Sequence, residues 1–362
     1  MAQTGIMAIE EFDEAVKWQA DHAEKAGAAC TARIIRSLPK VRESDTELGR
    51  RMREWAGLTL KDAMPLRVTG GLHHLALTGV DDRLVPAYSG DLIDQAQIDA
   101  IVLDMVVKHD AALAPWLDGP PQTNEAGRSA SIMAGLLWLA QRVVPRFELF
   151  ELGASAGVNT MMDRYFYDLG GTREGSERSP MRIRPEWRGK GAPPVAPDDF
   201  AILSVRGCDV SPINLSDPAA ALRLKSYVWP EAAARMGRIE AAIQLAGELA
   251  PDVVEKDAGE FVAEMLLRPQ VDGTTRAMFH SIMWQYMPAA TQDAITALFE
   301  EVGAKATRDR PLAWVSLETN PETFRHELHV RYWDGTQGAG EAHLLAFAHP
   351  HGEWVQWGDL ES

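Results

Sequence analysis

The chain has 362 residues and a formal net charge of −16, because 52 aspartates and glutamates outnumber 36 lysines and arginines. This balance argues against binding to duplex nucleic acid or to a membrane surface, since neutralising phosphates requires clustered basic side chains. Hydrophobic residues form 46% of the chain and charged residues 24%, which is typical of a soluble globular protein. The length predicts about two domains.

No apolar run approaches the ~18 residues that a membrane-spanning helix requires, and the acidic N-terminus does not resemble a secretory signal. Cys30 and Cys208 lie in unrelated segments, so the sequence contains no CxxC motif and no disulfide framework. We therefore expect a cytoplasmic protein. The pair His349 and His351 has no cysteine or further histidine cluster nearby, and we expect no metal site there.

Residues 1–145 are predicted to form an all-helical domain. An amphipathic pattern over residues 8–36 predicts the first helix, and Leu84–Tyr88 is the best strand-like stretch in this half of the chain. A Gly-Pro-Pro break precedes the last helix, for which Thr123 or Asn124 is the expected cap. Further helices are predicted at residues 45–56, 68–79, 94–115 and 126–143.

Residues 146–362 alternate between strand and helix patterns, which predicts an α/β fold with a mostly parallel sheet and an antiparallel hairpin over residues 325–348. The stretch 170–199, rich in Gly, Pro and Arg, is expected to be a long loop or lid. Strands are predicted at residues 147–152, 200–205, 253–256, 277–282 and 312–317. Helices are predicted at residues 216–249, with a break at Trp229-Pro230, at 259–267 and at 290–303.

The most informative stretch is Glu-Leu-Gly-Ala-Ser-Ala-Gly-Val-Asn at residues 151–159, which follows the first predicted strand. Its Gly-x-Ser-x-Gly pattern matches a nucleophile elbow with Ser155 as the nucleophile. Read with Glu151, it is a glycine-rich turn that admits a nucleotide-like cofactor at a helix N-terminus, here a helix predicted over residues 158–166. A purely structural turn is the third interpretation. Because residues 1–146 lack the strands that precede an elbow in a hydrolase, the cofactor turn is favoured.

The turn resembles that of the class I S-adenosylmethionine-dependent methyltransferases, whose first strand ends in E/D-x-G-x-G-x-G. Glu151, Gly153 and Gly157 match this motif, and Ser155 replaces its middle glycine. The resemblance covers residues 145–350 and implies a Rossmann-like sheet that binds S-adenosylmethionine. The cofactor contacts that it implies in the turn are Glu151, Gly153, Ser155, Gly157 and Asn159.

The same resemblance assigns roles to two later strand ends. Asp209, expected at the end of the second strand, would hold the ribose hydroxyls of the cofactor. Asp257 and Ala258, after the third strand, would meet its adenine. A terminal hairpin such as the one predicted over residues 325–348 is also typical of this superfamily.

Over its whole length the chain resembles a bacterial family that is known only as a domain of unknown function. This second resemblance supports a shared fold and implies no activity. The segments that carry it are Gln122–Arg128, Glu151–Asn159, Val228–Pro230 and His349–Gly352.

Methyl acceptors are expected to bind at the end of the fourth predicted strand. His280 is a candidate general base there, and Trp284 and Tyr286 are candidate walls of the acceptor site. The alternative is that His280 lies inside the strand and Trp284 packs against the following helix.

The segment between the helical region and the sheet supplies three further candidates. Asn124, Glu125 and Arg128 are expected to line the acceptor side of a cleft, although Asn124 and Glu125 are equally consistent with a helix cap. In this interpretation the helical region covers the cleft and excludes water from it.

The function expected from the sequence is methyl transfer from S-adenosylmethionine to an unidentified small molecule. Replacing Gly153 with Val is expected to abolish cofactor binding in a folded protein. Two alternatives stay open: a hydrolase that uses Ser155 with a histidine from position 280, 349 or 351, and a non-catalytic ligand-binding protein with the methyltransferase fold.

Overall fold

The computed structural model describes residues 9–121, 124–336 and 339–358, which divide into two compact units. The predicted cap Thr123 and the motif residue Gln122 lie outside the described residues. The chain does not divide at residue 145, where the sequence placed a boundary, because residues 124–145 belong to the unit that contains the sheet. The first unit is completed by residues 218–237, which return to it after a long excursion of the chain.

The first unit is helical, as the sequence predicts, and its helices enclose one apolar core. Among the side chains buried in it are Val16, Leu38, Leu48, Leu72 and Val102. The helices are α1 (Phe12–Lys25), α2 (Ala29–Ile35), α3 (Leu38–Arg42), α4 (Glu47–Arg53), α5 (Met64–Leu77), α6 (Val85–Ser89), α7 (Gln95–Leu113) and, from the return segment, α9 (Pro218–Ser226).

The strand-like stretch Leu84–Tyr88 is wrong as a prediction, since it lies at helix α6. Pro86 occupies the first turn of this helix, where its fixed φ angle suits helical backbone and its missing N–H costs nothing. Gly90 ends the helix with a φ of 84°, a conformation that favours glycine. Proline and glycine therefore outweigh the apolar pattern here.

The return segment is bound into the helical unit by buried and partly buried polar contacts. The Ser226 carbonyl lies 3.0 Å from His73 Nδ1, and the Ser226 hydroxyl lies 3.1 Å from His74 Nδ1. Glu231 accepts hydrogen bonds from both the backbone N–H and the hydroxyl of Thr31, each at 2.7 Å. The motif Val228–Pro230 lines a small cavity of about 10 Å³ in this region.

The second unit contains two sheets. The strands of this unit are β1 (Arg146–Leu152), β2 (Phe166–Leu169), β3 (Thr172–Glu174), β4 (Arg182–Ile183), β5 (Glu186–Gly189), β6 (Ala201–Asp209), β7 (Val253–Glu255), β8 (Thr275–Ser281), β9 (Leu312–Thr319), β10 (His326–Trp333), β11 (His343–Ala348) and β12 (Trp354–Trp357). The larger sheet has nine strands in the order β5-β12-β11-β10-β9-β8-β1-β6-β7, and the smaller sheet has the order β3-β2-β4.

Five strands of the large sheet are parallel neighbours, and they have the order 3-2-1-4-5 when numbered along the chain. Strand β1 lies at the centre, with Leu152 paired to Cys208 of β6 and to His280 of β8. The carboxyl ends of these strands therefore lie at one edge of the sheet. The predicted antiparallel hairpin is confirmed as β10 and β11.

The helices of the second unit are α8 (Ser129–Leu139), the part of α10 (Ala233–Glu248) from residue 238, α11 (Ala258–Leu267) and α12 (Ala289–Gly303). Helix α8 packs closely on the large sheet through Gly135, where a Cβ would lie 3.1 Å from Val315 and 3.3 Å from Val330. In neither unit is a described helix long and apolar enough to cross a membrane.

The helix predicted after the glycine turn is wrong, since the turn leads into a six-residue 3-10 helix, Asn159–Arg164, and then into β2. Two buried tyrosines account for the difference. The Tyr165 hydroxyl donates to the Val158 carbonyl, and the Tyr167 hydroxyl donates to the Met162 carbonyl at 3.1 Å. These side chains occupy carbonyl groups that a continuing α-helix would use for its own hydrogen bonds.

The stretch 170–199 is not a long loop, because it contains β3, β4 and β5. Strand β5 pairs in parallel with β12 at the edge of the large sheet, and Trp187 packs against Trp357 with ring centroids 5.9 Å apart. Tryptophan pairs bury large apolar surfaces, which offsets the poor strand propensity of the surrounding glycines and prolines. The predicted lid is therefore part of the sheet edge.

Candidate functional site

Glu151 lies one residue before the end of strand β1 and presents a buried carboxyl group. Its side chain is 2% exposed, and within residues 9–121, 124–336 and 339–358 its Oε2 atom has no hydrogen-bond partner. Buried polar atoms in folded proteins are almost always paired, and an unpaired acceptor costs about 1–3 kcal/mol. The site therefore retains an acceptor that the protein itself does not satisfy.

Burial raises the pKa of the Glu151 carboxyl to about 8. The Asn159 amide opposes this increase, the Asp209 carboxylate adds to it, and the Arg128 guanidinium opposes it. At neutral pH the carboxyl group is therefore mainly protonated until a cationic partner arrives.

Asn159 begins the 3-10 helix after the turn and presents a second unpaired acceptor. Asn159 is 2% exposed, and its Oδ1 atom also lacks a hydrogen-bond partner in the described part of the chain. Two buried acceptors that both lack donors fit a ligand with N–H or O–H groups. These two of the predicted cofactor residues are thus brought together by the fold.

Gly153 and Gly157 turn the chain at the end of β1, with φ angles of 65° and 70°. A Cβ on Gly153 would lie 2.9 Å from Met283, and a Cβ on Gly157 would lie 2.7 Å from Pro251. Both glycines are thus required by the protein's own packing. A valine at Gly153 should therefore destabilise the fold, and the expectation that Gly153→Val abolishes cofactor binding in a folded protein stays a prediction.

Ser155 lies between the two glycines in a left-handed conformation, with φ at 51°. Its backbone N–H donates to Asp209 Oδ2 at 2.8 Å, and Asp209 Oδ1 accepts from the Ser211 N–H at 2.9 Å. Asp209 ends β6, as the sequence predicts, and holds the glycine turn against this neighbouring strand. A carboxylate has about four acceptor positions, so these bonds leave capacity for further donors.

Asp257 caps helix α11. Its Oδ1 accepts from the Gly259 N–H at 2.8 Å and from the Glu260 N–H at 3.3 Å, and Ala258 is buried in the first turn. The side chain of Asp257 is exposed. Asp257 and Ala258 therefore form the start of helix α11. Their predicted contact with adenine stays a prediction.

The carboxyl end of β8 also contains a strained residue. Ile282 has a φ of 51°, which is an outlier for a β-branched side chain. Its N–H donates to the Leu317 carbonyl at 2.9 Å, and the next N–H, that of Met283, donates to Glu318 Oε1 at 3.1 Å. Such strain persists only where the surroundings fix it, and it is frequent at functional sites.

His280 lies inside β8 and is 1% exposed. The Trp314 Nε1–H donates to His280 Nε2 at 2.9 Å, so the ring proton is on Nδ1, which lies 2.7 Å from Glu318 Oε1. Both ring nitrogens are engaged, which leaves no nitrogen to act as a base. The prediction of His280 as a catalytic base is therefore wrong, and the alternative of a packed strand histidine holds.

Trp284 and Tyr286 do not form walls of a closed site. The ring of Trp284 stacks on His280 with centroids 4.8 Å apart and also contacts Trp314. Tyr286 is 77% exposed. Trp284 instead covers the buried network that fixes the end of β8.

The candidates before α8 lie at the same edge of the sheet. Asn124 Oδ1 accepts from the Val158 N–H at 2.7 Å, and Arg128 Nη1 donates to the Ser281 carbonyl at 3.4 Å. Asn124 therefore contacts the glycine turn, and Arg128 contacts the end of β8. The fold therefore brings both predicted site residues, Asn124 and Arg128, to the carboxyl ends of β1 and β8.

Glu125 has a structural role in this arrangement. Its side chain is buried, and Oε1 accepts from the Gly127 N–H at 3.0 Å and from Arg238 Nε at 2.7 Å. Arg238 also donates to the His351 carbonyl at 3.2 Å. This buried ion pair fixes the segment before α8 against the loop after β11.

The loop at residues 349–352 packs directly on the segment 126–128. Gly352 has a φ of 70°, and a Cβ there would lie 2.3 Å from the Gly127 carbonyl carbon. The Arg128 Nε donates to the Pro350 carbonyl at 2.8 Å. Three separate sequence motifs therefore meet at the carboxyl edge of the sheet.

Sequence reasoning missed His326, which begins β10 opposite Thr319 of β9. Its position at this edge follows from the hairpin, because an antiparallel strand starts where its neighbour ends. The sequence signal that could have identified His326 is its place at the start of β10, the antiparallel strand that follows β9. His349, which the sequence offered only as a partner of Ser155 in the hydrolase alternative, follows Ala348 of β11, the residue that pairs with His326.

His349, His351 and Glu353 each offer an atom within 4.8 Å of the others. The His351 N–H donates to His349 Nδ1 at 3.2 Å, which places the proton of a neutral ring on Nε2, 3.7 Å from Glu353 Oε2. A metal ion at Nε2 would have to displace that proton and break the backbone bond. The hydrogen bond between the His351 N–H and His349 Nδ1 thus fixes the conformation of this loop.

A family model described as an uncharacterized protein conserved in bacteria, DUF2332, matches residues 13–357. The chain belongs to this family. The match spans both units and confirms the whole-chain resemblance that the motifs indicated. No curated protein matches the chain.

Proposed function

We propose that this chain is an S-adenosylmethionine-dependent methyltransferase with a Rossmann-like sheet, acting on a small molecule. One observation carries the proposal: the Glu151 carboxyl, buried at the carboxyl end of β1, with Oε2 unpaired among the described residues. S-adenosylmethionine has an ammonium group and hydroxyl groups, which are donors of the kind that this acceptor lacks. The Asn159 Oδ1 atom adds a second acceptor of the same kind.

The order of the parallel strands supports this proposal. In doubly wound sheets of order 3-2-1-4-5, ligands bind outside the carboxyl ends of the strands where the order reverses. Here that point lies between β1 and β8, which end at Glu151-Leu152 and at Ser281. The glycine turn and the strained Ile282 follow these two strand ends.

When bound, S-adenosylmethionine supplies an electrophilic methyl group. The residues of the chain contribute binding and placement. Glu151 would lose its proton to face an ammonium group, and Asp209 would accept from ribose hydroxyls while still holding the Ser155 N–H. Placement of the acceptor by Asn124 and Arg128 would supply much of the rate, because in-line displacement depends on alignment.

One observation favours the hydrolase alternative. Ser155 has the strained, left-handed backbone of a nucleophile elbow. His280, the first histidine considered as its partner, is engaged at both nitrogens and cannot take a proton from it. This alternative therefore requires a histidine from the loop at residues 349–352.

The test is calorimetry of the full chain with S-adenosylmethionine and with its demethylated product, near pH 7, in two buffers of different ionisation enthalpy. Since Glu151 is mainly protonated there, binding of an ammonium group should release roughly one proton per site, and the measured enthalpy should depend on the buffer. Glu151→Gln should bind more weakly and lose the buffer dependence.

The matched control is Glu255→Gln, which replaces an exposed carboxylate at the end of the neighbouring strand β7. It should keep both the affinity and the proton release. Absence of binding, or proton release that persists in Glu151→Gln, would contradict the assignment. Ester hydrolysis that disappears in Ser155→Ala would establish the alternative instead, and binding without turnover of any metabolite pool would indicate a non-catalytic protein.

A further inference from the structure

The backbone beyond the end of β8 turns towards the neighbouring strand β9. The Ile282 N–H donates to the Leu317 carbonyl at 2.9 Å, and the Met283 N–H donates to Glu318 Oε1 at 3.1 Å. Successive N–H groups converge on one side only where the backbone leaves the extended conformation between them. Ile282 makes this change with its φ of 51°. The strain at Ile282 is therefore tied to one side-chain acceptor, Glu318.

Glu318 is oriented by a chain of two buried rings. Its Oε1 lies 2.7 Å from His280 Nδ1, and His280 Nε2 accepts from the Trp314 Nε1–H at 2.9 Å. Trp284 stacks on the His280 ring with centroids 4.8 Å apart. Because the bond from Trp314 places the ring proton of His280 on Nδ1, the imidazole donates to Glu318. The carboxylate is thus held with Oε1 towards the Met283 N–H.

The side chain of Met283 connects this network to the glycine turn. A Cβ on Gly153 would lie 2.9 Å from Met283 Cβ and Cγ and 3.1 Å from its Cε, so the methionine packs directly against the turn. Gly153 follows Leu152, which pairs with His280 of β8. Protein interiors contain few voids, so packed atoms transmit displacements to their neighbours. A rotation of the backbone at Met283 would therefore displace the turn.

We propose that Glu318 is a positioning residue of the candidate site. Through the Met283 N–H it holds the strained end of β8 in the conformation that places Met283 against Gly153, and it thereby shapes the turn that follows Glu151. Glu318 itself does not contact the ligand. Binding sites depend on such supporting hydrogen bonds for their geometry. The consequence for S-adenosylmethionine rests on the proposed function, whereas the effect on the turn does not.

The first arm of the test uses the full chain without any ligand. Amide NMR signals and hydrogen exchange are compared between the parent chain and Glu318→Ala. The variant leaves the Met283 N–H without its acceptor, so we expect faster exchange there and displaced amide signals at Gly153 and Ser155. His280 is 1% exposed, so its Nδ1 proton should give a slowly exchanging signal in the parent chain and a shifted one in Glu318→Ala.

Two further variants separate hydrogen bonding from charge and from folding. Glu318→Gln keeps an oxygen that can accept from both donors, and it should retain the turn signals of the parent chain. His280→Phe keeps a ring on which Trp284 can stack but removes the donor that orients Glu318. This variant should displace the same turn signals, and it carries the test if Glu318→Ala does not fold.

The matched control is Glu327→Ala. Glu327 lies directly opposite Glu318 on β10, and its side chain also bonds to a histidine, His329, at 2.8 Å, and to Asn320 at 2.9 Å. The side chain of Glu318 is 18% exposed and that of Glu327 is 12% exposed. Glu327 has no hydrogen bond to β8 among the described residues. Its loss should destabilise the chain without moving the signals of the turn.

The second arm measures the affinity for S-adenosylmethionine by calorimetry in the same chains. Glu318→Ala should bind roughly 10- to 100-fold more weakly, since a displacement of about 1 Å at a site can cost on the order of 100-fold. Glu318→Gln and Glu327→Ala should bind as the parent chain does. A role in stability alone would affect Glu318→Ala and Glu327→Ala alike.

The proposal is overturned if the Gly153 and Ser155 signals stay in place in Glu318→Ala, or if Glu327→Ala moves them equally. It is also overturned if Glu318→Gln disturbs the turn as much as Glu318→Ala, because the hydrogen bonds to Oε1 would then not position it. Displaced turn signals in a chain with no affinity for S-adenosylmethionine would reject the proposed function alone. Binding that Glu318→Ala leaves unchanged would reject the positioning role alone.

Discussion

Among single residues, Glu151 departs furthest from the surroundings that its chemistry prefers. Its pKa is about 8 in the folded chain, against an ordinary value of 4.5. Between these pH values the unfolded chain has lost a proton that the folded chain retains. The free energy of unfolding contributed by this group is therefore highest below about pH 4.5 and falls as the pH rises towards 8, by up to about 1.4 kcal/mol per pH unit.

We predict that Glu151→Gln removes this decrease. The variant should gain stability relative to the parent chain between pH 5 and pH 8, as measured by urea unfolding at several pH values. Glu255→Gln, at an exposed position, should leave the slope unchanged. Parallel pH profiles for Glu151→Gln and the parent chain would show that the carboxyl is not desolvated.

At the scale of elements, the turn between β1 and the 3-10 helix is fixed by close contact with the end of β8. We predict that Gly153→Ala lowers the free energy of unfolding by roughly 2–4 kcal/mol, because it combines a left-handed conformation with a Cβ 2.9 Å from Met283. Urea unfolding measures the loss. Adding Met283→Ala should recover only the part of the loss that comes from Met283 Cγ and Cε, because the Met283 Cβ also lies 2.9 Å from the added Cβ and stays in the variant.

Gly79→Ala is the matched control for this prediction. Its φ of 67° is nearly that of Gly153, but no heavy atom lies within 4 Å of its Cβ position. It should cost only the backbone term of about 1–2 kcal/mol. Equal losses at the two positions would mean that Met283 moves aside without cost.

Most strands and helices were predictable because each one has a local pattern. Strand β1 is an apolar run before glycine, and α10 follows the break that the sequence shows at Trp229-Pro230. The predictions that were wrong depend on contacts that the local sequence pattern does not contain. The 3-10 helix after the turn is set by tyrosine hydroxyls on its carbonyls, and β5 becomes a strand only by pairing with β12, which is distant in sequence.

The candidate site was predictable in outline for a similar reason. Residues that follow strand ends, such as Glu151 and Asp209, could be found from strand boundaries alone. The engagement of His280 by Trp314 and Glu318 could not, since those partners lie on β9, more than thirty residues along the chain. Nor could the placement of His326, which depends on the register of the hairpin.

For the molecule as a whole, the net charge of −16 sets the long-range field. We predict no binding to duplex DNA or RNA at low ionic strength, because an acidic surface repels phosphates beyond the reach of a few arginines. Fluorescence anisotropy of labelled duplexes measures this. Binding that weakens steeply with added salt would contradict the prediction and would point to a basic face.

The helical unit is completed by residues 218–237, whose Ser226 and Glu231 bond to His73, His74 and Thr31. During translation the first 121 residues therefore leave the ribosome well before their last packing partner is made. Until residues 218–237 have been synthesised, after β1 and β6, part of the apolar core of the helical unit remains exposed to solvent. Nascent chains of this protein should consequently depend on holding chaperones up to residue 237, and removing the N-terminal helices should leave segment 218–237 as a site of aggregation.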